Sequence, residues 1–227
     1  MDVTMNKNKT NPYIVLAGVD GSGKSYIVND ITNRHTDIQK VAEPFRHTEA
    51  TKLLADIALT DKDLPPLDRF GLFLSNRILG WSDIDKSKPI VADRSYICSI
   101  AYTIADIILK QTNEPFSDKI VITLTDRLMD ITSNFSSTIP LVIDKVYLLH
   151  MSNSLMYNRF NKLDGKDITE QDVNYLFLVQ KIYKIVIDRL YELGYIKSYE
   201  IVQMKDYDDA IFKSSYVVKQ IETTLDI

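Results

Sequence analysis

The chain has 227 residues, 45% hydrophobic and 26% charged, with a formal net charge of −4. That length and apolar content suffice for one full core, while the acidic balance argues against nonspecific binding to nucleic acid or a membrane surface, both of which favour basic excess. Cys98 is the lone cysteine, so no intrachain disulfide forms and a reducing, cytoplasmic setting is expected. The polar start lacks the apolar stretch of a signal peptide, and no later apolar run reaches the roughly 20 residues of a membrane span.

Residues 1–11 read as a flexible start and 12–227 as one domain. Tyr13–Ala17 is a short apolar strand, followed by a glycine-rich turn and a helical pattern over 26–34. Val41 and Ala42 end a second strand, and 48–59 is helical. Pro65 and Pro66 open a helix running to Trp81, since proline suits a first helical turn. A third strand spans 89–92, with a helix over 97–110 behind it. A helix around 120–129 gives way to a Ser/Thr-rich loop. Lys145–Met151 is a fourth strand, 154–160 a short helix, and 172–193 a long helix stopped by Gly194. Tyr199–Met204 and 208–224 complete the alternation. Strands separated by helices imply a five-stranded parallel sheet covered on both faces.

Gly18-Val19-Asp20-Gly21-Ser22-Gly23-Lys24-Ser25 matches G-x-x-x-x-G-K-[ST] and lies between a strand and a helix, the context the pattern requires. Glycines let backbone amides turn onto a phosphate, and the helix N-terminus adds partial positive charge. Lys24 is suited to the outer phosphates, and the Ser25 hydroxyl to magnesium. The chain is therefore expected to bind ATP with Mg2+ in a P-loop α/β fold.

Further along stand Glu43-Pro44-Phe45-Arg46, then Thr48-Glu49-Ala50-Thr51-Lys52-Leu53-Leu54, then Leu72-Phe73-Leu74-Ser75-Asn76-Arg77. Asp93-Arg94-Ser95-Tyr96 closes the third strand, at the sheet edge where open parallel sheets bind ligands, and Ala101-Tyr102 follow. Phe73 and Arg77, four apart, share one helix face. Together with the phosphate loop, these segments resemble the thymidylate kinase family. The resemblance implies phosphorylation of a deoxynucleoside monophosphate, dTMP foremost, and a homodimer, for which the apolar helix over 97–109 is the expected interface. It makes Arg46, Arg77 and Arg94 ligands of the acceptor phosphate, Phe73 a stacking partner for the base, and Asp20 a partner of the sugar 3′-hydroxyl. Asp93 joins Ser25 at the metal, and Cys98 and Tyr102 line the acceptor site. Three guanidiniums around one cleft suit a dianionic acceptor, whose oxygen is already largely ionised at neutral pH and requires no strong base.

Residues 159–170 occupy the place of a mobile lid over ATP. The family's lid arginine slot holds Ile168, and Gly21 stands where some relatives carry a phosphate-loop arginine. The transition-state cation beyond Lys24 is therefore expected among Arg159, Lys162 and Lys166. Cys98 replaces a usual serine and Thr103 a usual glutamine, which leaves base preference open. Two other readings stay open. A deoxynucleoside kinase shares the phosphate loop, a Glu-Pro pair and an acidic-Arg-Ser motif. A catalytically weak, nucleotide-binding regulatory protein is the other. His35, His47 and His150 have no metal-ligand spacing.

Overall fold

The computed structural model describes residues 11–111, 116–163 and 169–227. The expected elements follow in order: β1 (Tyr13–Ala17), α1 (Lys24–Arg34), β2 (Gln39–Ala42), α2 (Glu49–Thr60), α3 (Pro66–Trp81), β3 (Ile90–Asp93) and α4 (Tyr96–Gln111). Then come α5 (Asp118–Ser133), β4 (Lys145–Met151), α6 (Asn153–Leu163), α7 (Glu170–Glu192), β5 (Tyr199–Met204) and α8 (Tyr207–Leu225). The five strands form one parallel sheet in the order β2-β3-β1-β4-β5.

β1 is buried along its whole length, as a central strand covered on both faces must be, which explains its unbroken apolar sequence. Crossovers between parallel strands are right-handed, so α1, leading away from β1 toward β2, lies on the opposite face from helices that lead back across the sheet. The packing agrees: α1 lies against α8, while α4 packs on α3, α5 and α7.

Helix starts follow local chemistry. Thr48 and Thr51 form a reciprocal capping box at α2, as do Thr169 and Asp172 at α7, and the Ser117 side chain caps α5. Helix α5 is longer than the 120–129 the sequence suggested, because that cap and the buried Val121, Thr125, Leu128, Met129 and Thr132 sustain its face through two further turns.

The apolar helix expected to offer an interface turns most of its apolar face into the protomer: Ile97, Ile100, Ile104 and Ala105 are fully buried, and Leu109 alone among its large apolar side chains is exposed. Periodicity reports that a face is apolar, not whether it meets the protein's own core or a partner.

The register determines what meets at the sheet's C-terminal edge. Leu16 of β1 pairs with Asp93 of β3, and Ala42 of β2 pairs with Asp93 from the other side. Arg94 N–H donates to Leu16 O at 3.1 Å and Glu43 N–H to Asp93 O at 3.0 Å. The loops beginning at residues 18, 43 and 94 therefore leave the sheet side by side.

Candidate active site

The phosphate loop is tightly built. Gly18 has φ +141°, and a Cβ there would sit 2.6 Å from the carbonyl oxygen of Leu149 on β4, so β4 admits only glycine at that point. Gly23 caps α1 with no side-chain hydrogen bond, and no acidic residue occupies the first turn, which leaves that N-terminus open to an anion. Lys24 is only 4% exposed. Its Nζ donates to Val19 O at 2.8 Å and to Ser22 Oγ at 3.3 Å. Burial pulls its pKa below the ordinary lysine value, with Cys98 and Asp93 nearby pushing it back up.

Ser25 Oγ donates to Asp93 Oδ2, while Asp93 Oδ1 is buried without a partner among the described residues. An orphaned carboxylate oxygen beside a hydroxyl is what a divalent cation would complete, so these residues fit the expected magnesium. Among the described residues, no cluster of three or more His, Cys, Asp or Glu could hold a metal ion. Such an ion would therefore draw its remaining ligands from phosphates and water.

Arg94 is held at φ +75°. A left-handed backbone costs a non-glycine residue roughly 1–3 kcal/mol, and such strain concentrates at functional positions. Its guanidinium pairs with Asp20 of the phosphate loop.

Two cavities open on either side of this Asp20–Arg94 pair, which lines both. The first, about 670 Å³, is bounded by the phosphate loop, α6 and the β5–α8 turn. There Arg159 Nη1 donates to Gly21 O, and its guanidinium lies 6.0 Å from the Tyr207 ring, in cation–π range. The contribution of Lys205, Asp206 and Tyr207 carried no sequence signal. Of the expected lid, residues 164–168, with Lys166 and Ile168, and the Lys162 side chain lie outside the described residues, as do residues 1–10.

The second cavity, about 650 Å³, runs between α3 and α4. Phe73, Arg77, Cys98 and Tyr102 all line it. The Tyr102 hydroxyl is pushed up to about 12 by burial, against the opposing Arg94 charge. Arg77 is differently employed than its spacing suggested. Glu43 accepts from its Nε at 2.9 and 3.1 Å and from its Nη2 at 2.6 Å, and also from Trp81 Nε1 at 3.2 Å. Arg77 Nη2 also donates to Ser99 Oγ at 2.9 Å, and Nη1 is buried without a partner among the described residues. This guanidinium therefore meets the cavity with its charge already balanced by a carboxylate. Arg46 does not line either cavity and pairs with Asp56 of α2 at 2.6 Å on the exposed surface. The expected trio of arginines around one cleft thus reduces to Arg77 and Arg94.

Asn76, unassigned from sequence, secures the loop that delivers Glu43. Its Oδ1 accepts from Phe45 N–H at 2.8 Å and its Nδ2 donates to the carbonyls of Phe45 and Thr51 at 2.8 and 2.7 Å. Its place between Phe73 and Arg77 was the only available signal.

The parallel sheet, the phosphate loop after its first strand and the acidic-Arg pair after its neighbour define a P-loop α/β fold. Comparisons with known proteins narrow this. The chain is similar to a thymidylate kinase of Helicobacter pylori strain Shi470, 34% identical over 123 residues that cover 51% of this chain and 63% of that protein. A probable thymidylate kinase of Methanobrevibacter smithii is 33% identical over 124 residues, covering 50% of this chain and 63% of that protein. The match thus spans somewhat under two thirds of the length of these relatives. Among solved structures, a thymidylate kinase from Candida albicans superposes with a TM-score of 0.65 at 20% identity, covering 95% of this chain and 92% of that one. One from Ehrlichia chaffeensis does so at 0.61 and 16% identity, covering 93% and 98%. At such identities the structural likeness speaks for the fold. No protein-family model matches the chain. The sequence relatives bear out the resemblance to the thymidylate kinase family.

Proposed function

We propose that the chain is an ATP-dependent kinase that transfers the terminal phosphoryl group to a deoxynucleoside monophosphate, with dTMP the favoured acceptor. The observation that carries this is the shared wall: Asp20 and Arg94 belong to both cavities, so a donor in one and an acceptor in the other meet at the phosphate loop. The similarity to thymidylate kinases over 123 residues supports the same reading.

In this reading the first cavity takes ATP, with its phosphates on the loop amides and the α1 N-terminus. Ser25 and Asp93 hold magnesium, which when bound supplies charge neutralisation of the phosphates. Lys24, tied in this structure to Val19 O and Ser22 Oγ, turns to the transferred phosphoryl oxygens. The acceptor lies in the second cavity with its base against Phe73. Its phosphate meets Arg94, and its sugar hydroxyl meets Asp20. Arg77, balanced by Glu43, contributes a hydrogen-bond donor more than net charge. Arg46 reaches the acceptor phosphate only by exchanging its Asp56 contact. Arg159, already beside the loop at Gly21, is the described cation placed to stabilise the transferring group. A phosphate acceptor is its own nucleophile at neutral pH, so catalysis rests on positioning and charge stabilisation.

One kinase domain over 12–227 with its lid near 159–170, a cytoplasmic setting and a homodimer belong to the same proposal. Among the described residues no helix is long and apolar enough to cross a membrane.

A second reading, a deoxynucleoside kinase, gains from the thinner arginine cluster. Coupled ADP release with ATP and Mg2+ separates them. Turnover with dTMP and little with thymidine is expected; the reverse selects the second reading, and no turnover with either refutes both.

A further inference from the structure

The acceptor cavity is also lined by a polar contact that joins three helices and has no role in the scheme above. Arg69, Phe73 and Arg77 stand at intervals of four on α3 and face the cavity together; Cys98, Tyr102 and Asp106 do the same on α4. The two rows run antiparallel: Arg77 meets Ser99 at 2.9 Å near one end, and Arg69 Nη1 meets Asp106 Oδ2 at 2.6 Å near the other. Asp106 is 7% exposed, and its second oxygen, Oδ1, accepts from the Tyr175 hydroxyl of α7 at 2.8 Å. Burial first, and the Asp106 carboxylate second, push the Tyr175 hydroxyl well above the ordinary tyrosine range, so it remains a donor throughout the working pH range. The Tyr175 ring in turn packs on Tyr102 with centroids 6.2 Å apart. Both Asp106 oxygens are engaged by protein partners, one on α3 and one on α7.

We propose that Asp106 is a positioning residue for acceptor binding: by tying Arg69 to Tyr175 it fixes the width of the cavity between Phe73 and Tyr102. That width in turn determines how tightly a pyrimidine monophosphate is held relative to a purine one. This rests on the kinase reading above. Without the carboxylate, Arg69 and Tyr175 lose their common anchor, and Tyr175, one of the two rings packed on Tyr102, is free to shift. The donor cavity shares none of these three residues.

The experiment is steady-state kinetics on the full chain with Asp106→Ala, Asp106→Asn and Tyr175→Phe, varying ATP and a panel of pyrimidine and purine deoxynucleoside monophosphates. Asp106→Ala is expected to raise KM for dTMP at least tenfold, with KM for ATP and kcat changing less than threefold. The pyrimidine-to-purine ratio of kcat/KM should fall at least threefold. Asp106→Asn, which keeps one accepting oxygen, is expected to recover part of both effects, and Tyr175→Phe to reproduce part of them. A lowered Tm with unchanged KM and unchanged ratio in the two conservative variants would overturn the inference, as would parallel rises in both KM values. If the wild-type chain turns over no monophosphate, the kinase reading fails and takes this inference with it. Normal wild-type turnover with indifferent variants refutes this inference alone.

Discussion

Glu43→Ala offers the sharpest test of how the cavity between α3 and α4 is built. The Glu43 and Arg77 side chains are 5% and 3% exposed, and the carboxylate accepts three contacts from the guanidinium and one from Trp81. Removing it strands a buried cation whose Nη1 already has no partner among the described residues, and takes away the acceptor of the Trp81 N–H. Breaking a buried pair from one side costs about 3–5 kcal/mol. For a chain of this size each kcal/mol is about 2–4 °C in Tm, so a fall of roughly 6–20 °C is expected. Urea titration followed by circular dichroism measures the free energy, and a thermal scan measures Tm. Glu43→Gln, which keeps an accepting oxygen without the charge, should lose less. Glu43→Leu combined with Arg77→Met should recover much of the loss, because a matched apolar pair carries no desolvation penalty. A loss below about 1 kcal/mol for Glu43→Ala would refute the reasoning: Arg77 would then not depend on Glu43 for its buried position.

Three further outcomes are expected. Gly80→Ala, which in an open helix would be favourable by about 1 kcal/mol, should instead destabilise by about 1–3 kcal/mol, since the added Cβ would lie 2.1 Å from the Phe45 ring; urea titration decides the sign. Phe73→Ala should raise KM for the monophosphate about 5- to 150-fold, the equivalent of roughly 1–3 kcal/mol of stacking, and leave KM for ATP nearly unchanged. Lys24 supplies a pH dependence: burial lowers its folded-state pKa, so the folded chain binds that proton less readily than the unfolded chain. The resulting penalty is full below the folded value and vanishes as pH rises past the unfolded value of about 10.4. The stability difference between Lys24→Met and the wild type should therefore shift toward the wild type between pH 7 and pH 10.5. A difference that stays constant or moves the other way in thermal melts contradicts the burial argument.

The phosphate loop was legible because its chemistry is local: eight consecutive residues carry the turn, the cation and the hydroxyl. The parallel sheet with helices on both faces was legible, since apolar runs alternate with amphipathic helices along the chain. What escaped was long-range pairing. Nothing near Arg77 in sequence announced that Glu43, 34 residues earlier, would balance its charge, and Arg46 matched its motif while its side chain turned to Asp56. Asp106 continued the 98 and 102 spacing and could have been found by extending it. Tyr175, 69 residues away, could not. The apolar face of α4 was legible, but what it packs on was not, because pattern identifies a face and not its partner.

The central claim is transfer between two cavities that meet at Asp20 and Arg94, and the most direct measurement follows the transferred atom. The full chain is incubated with Mg2+, ATP labelled on its terminal phosphate, and either dTMP or thymidine, and the products are separated. The account predicts label in dTDP, with Lys24→Ala abolishing it. Label confined to inorganic phosphate, or appearing in dTMP made from thymidine while dTMP itself goes unphosphorylated, would contradict it.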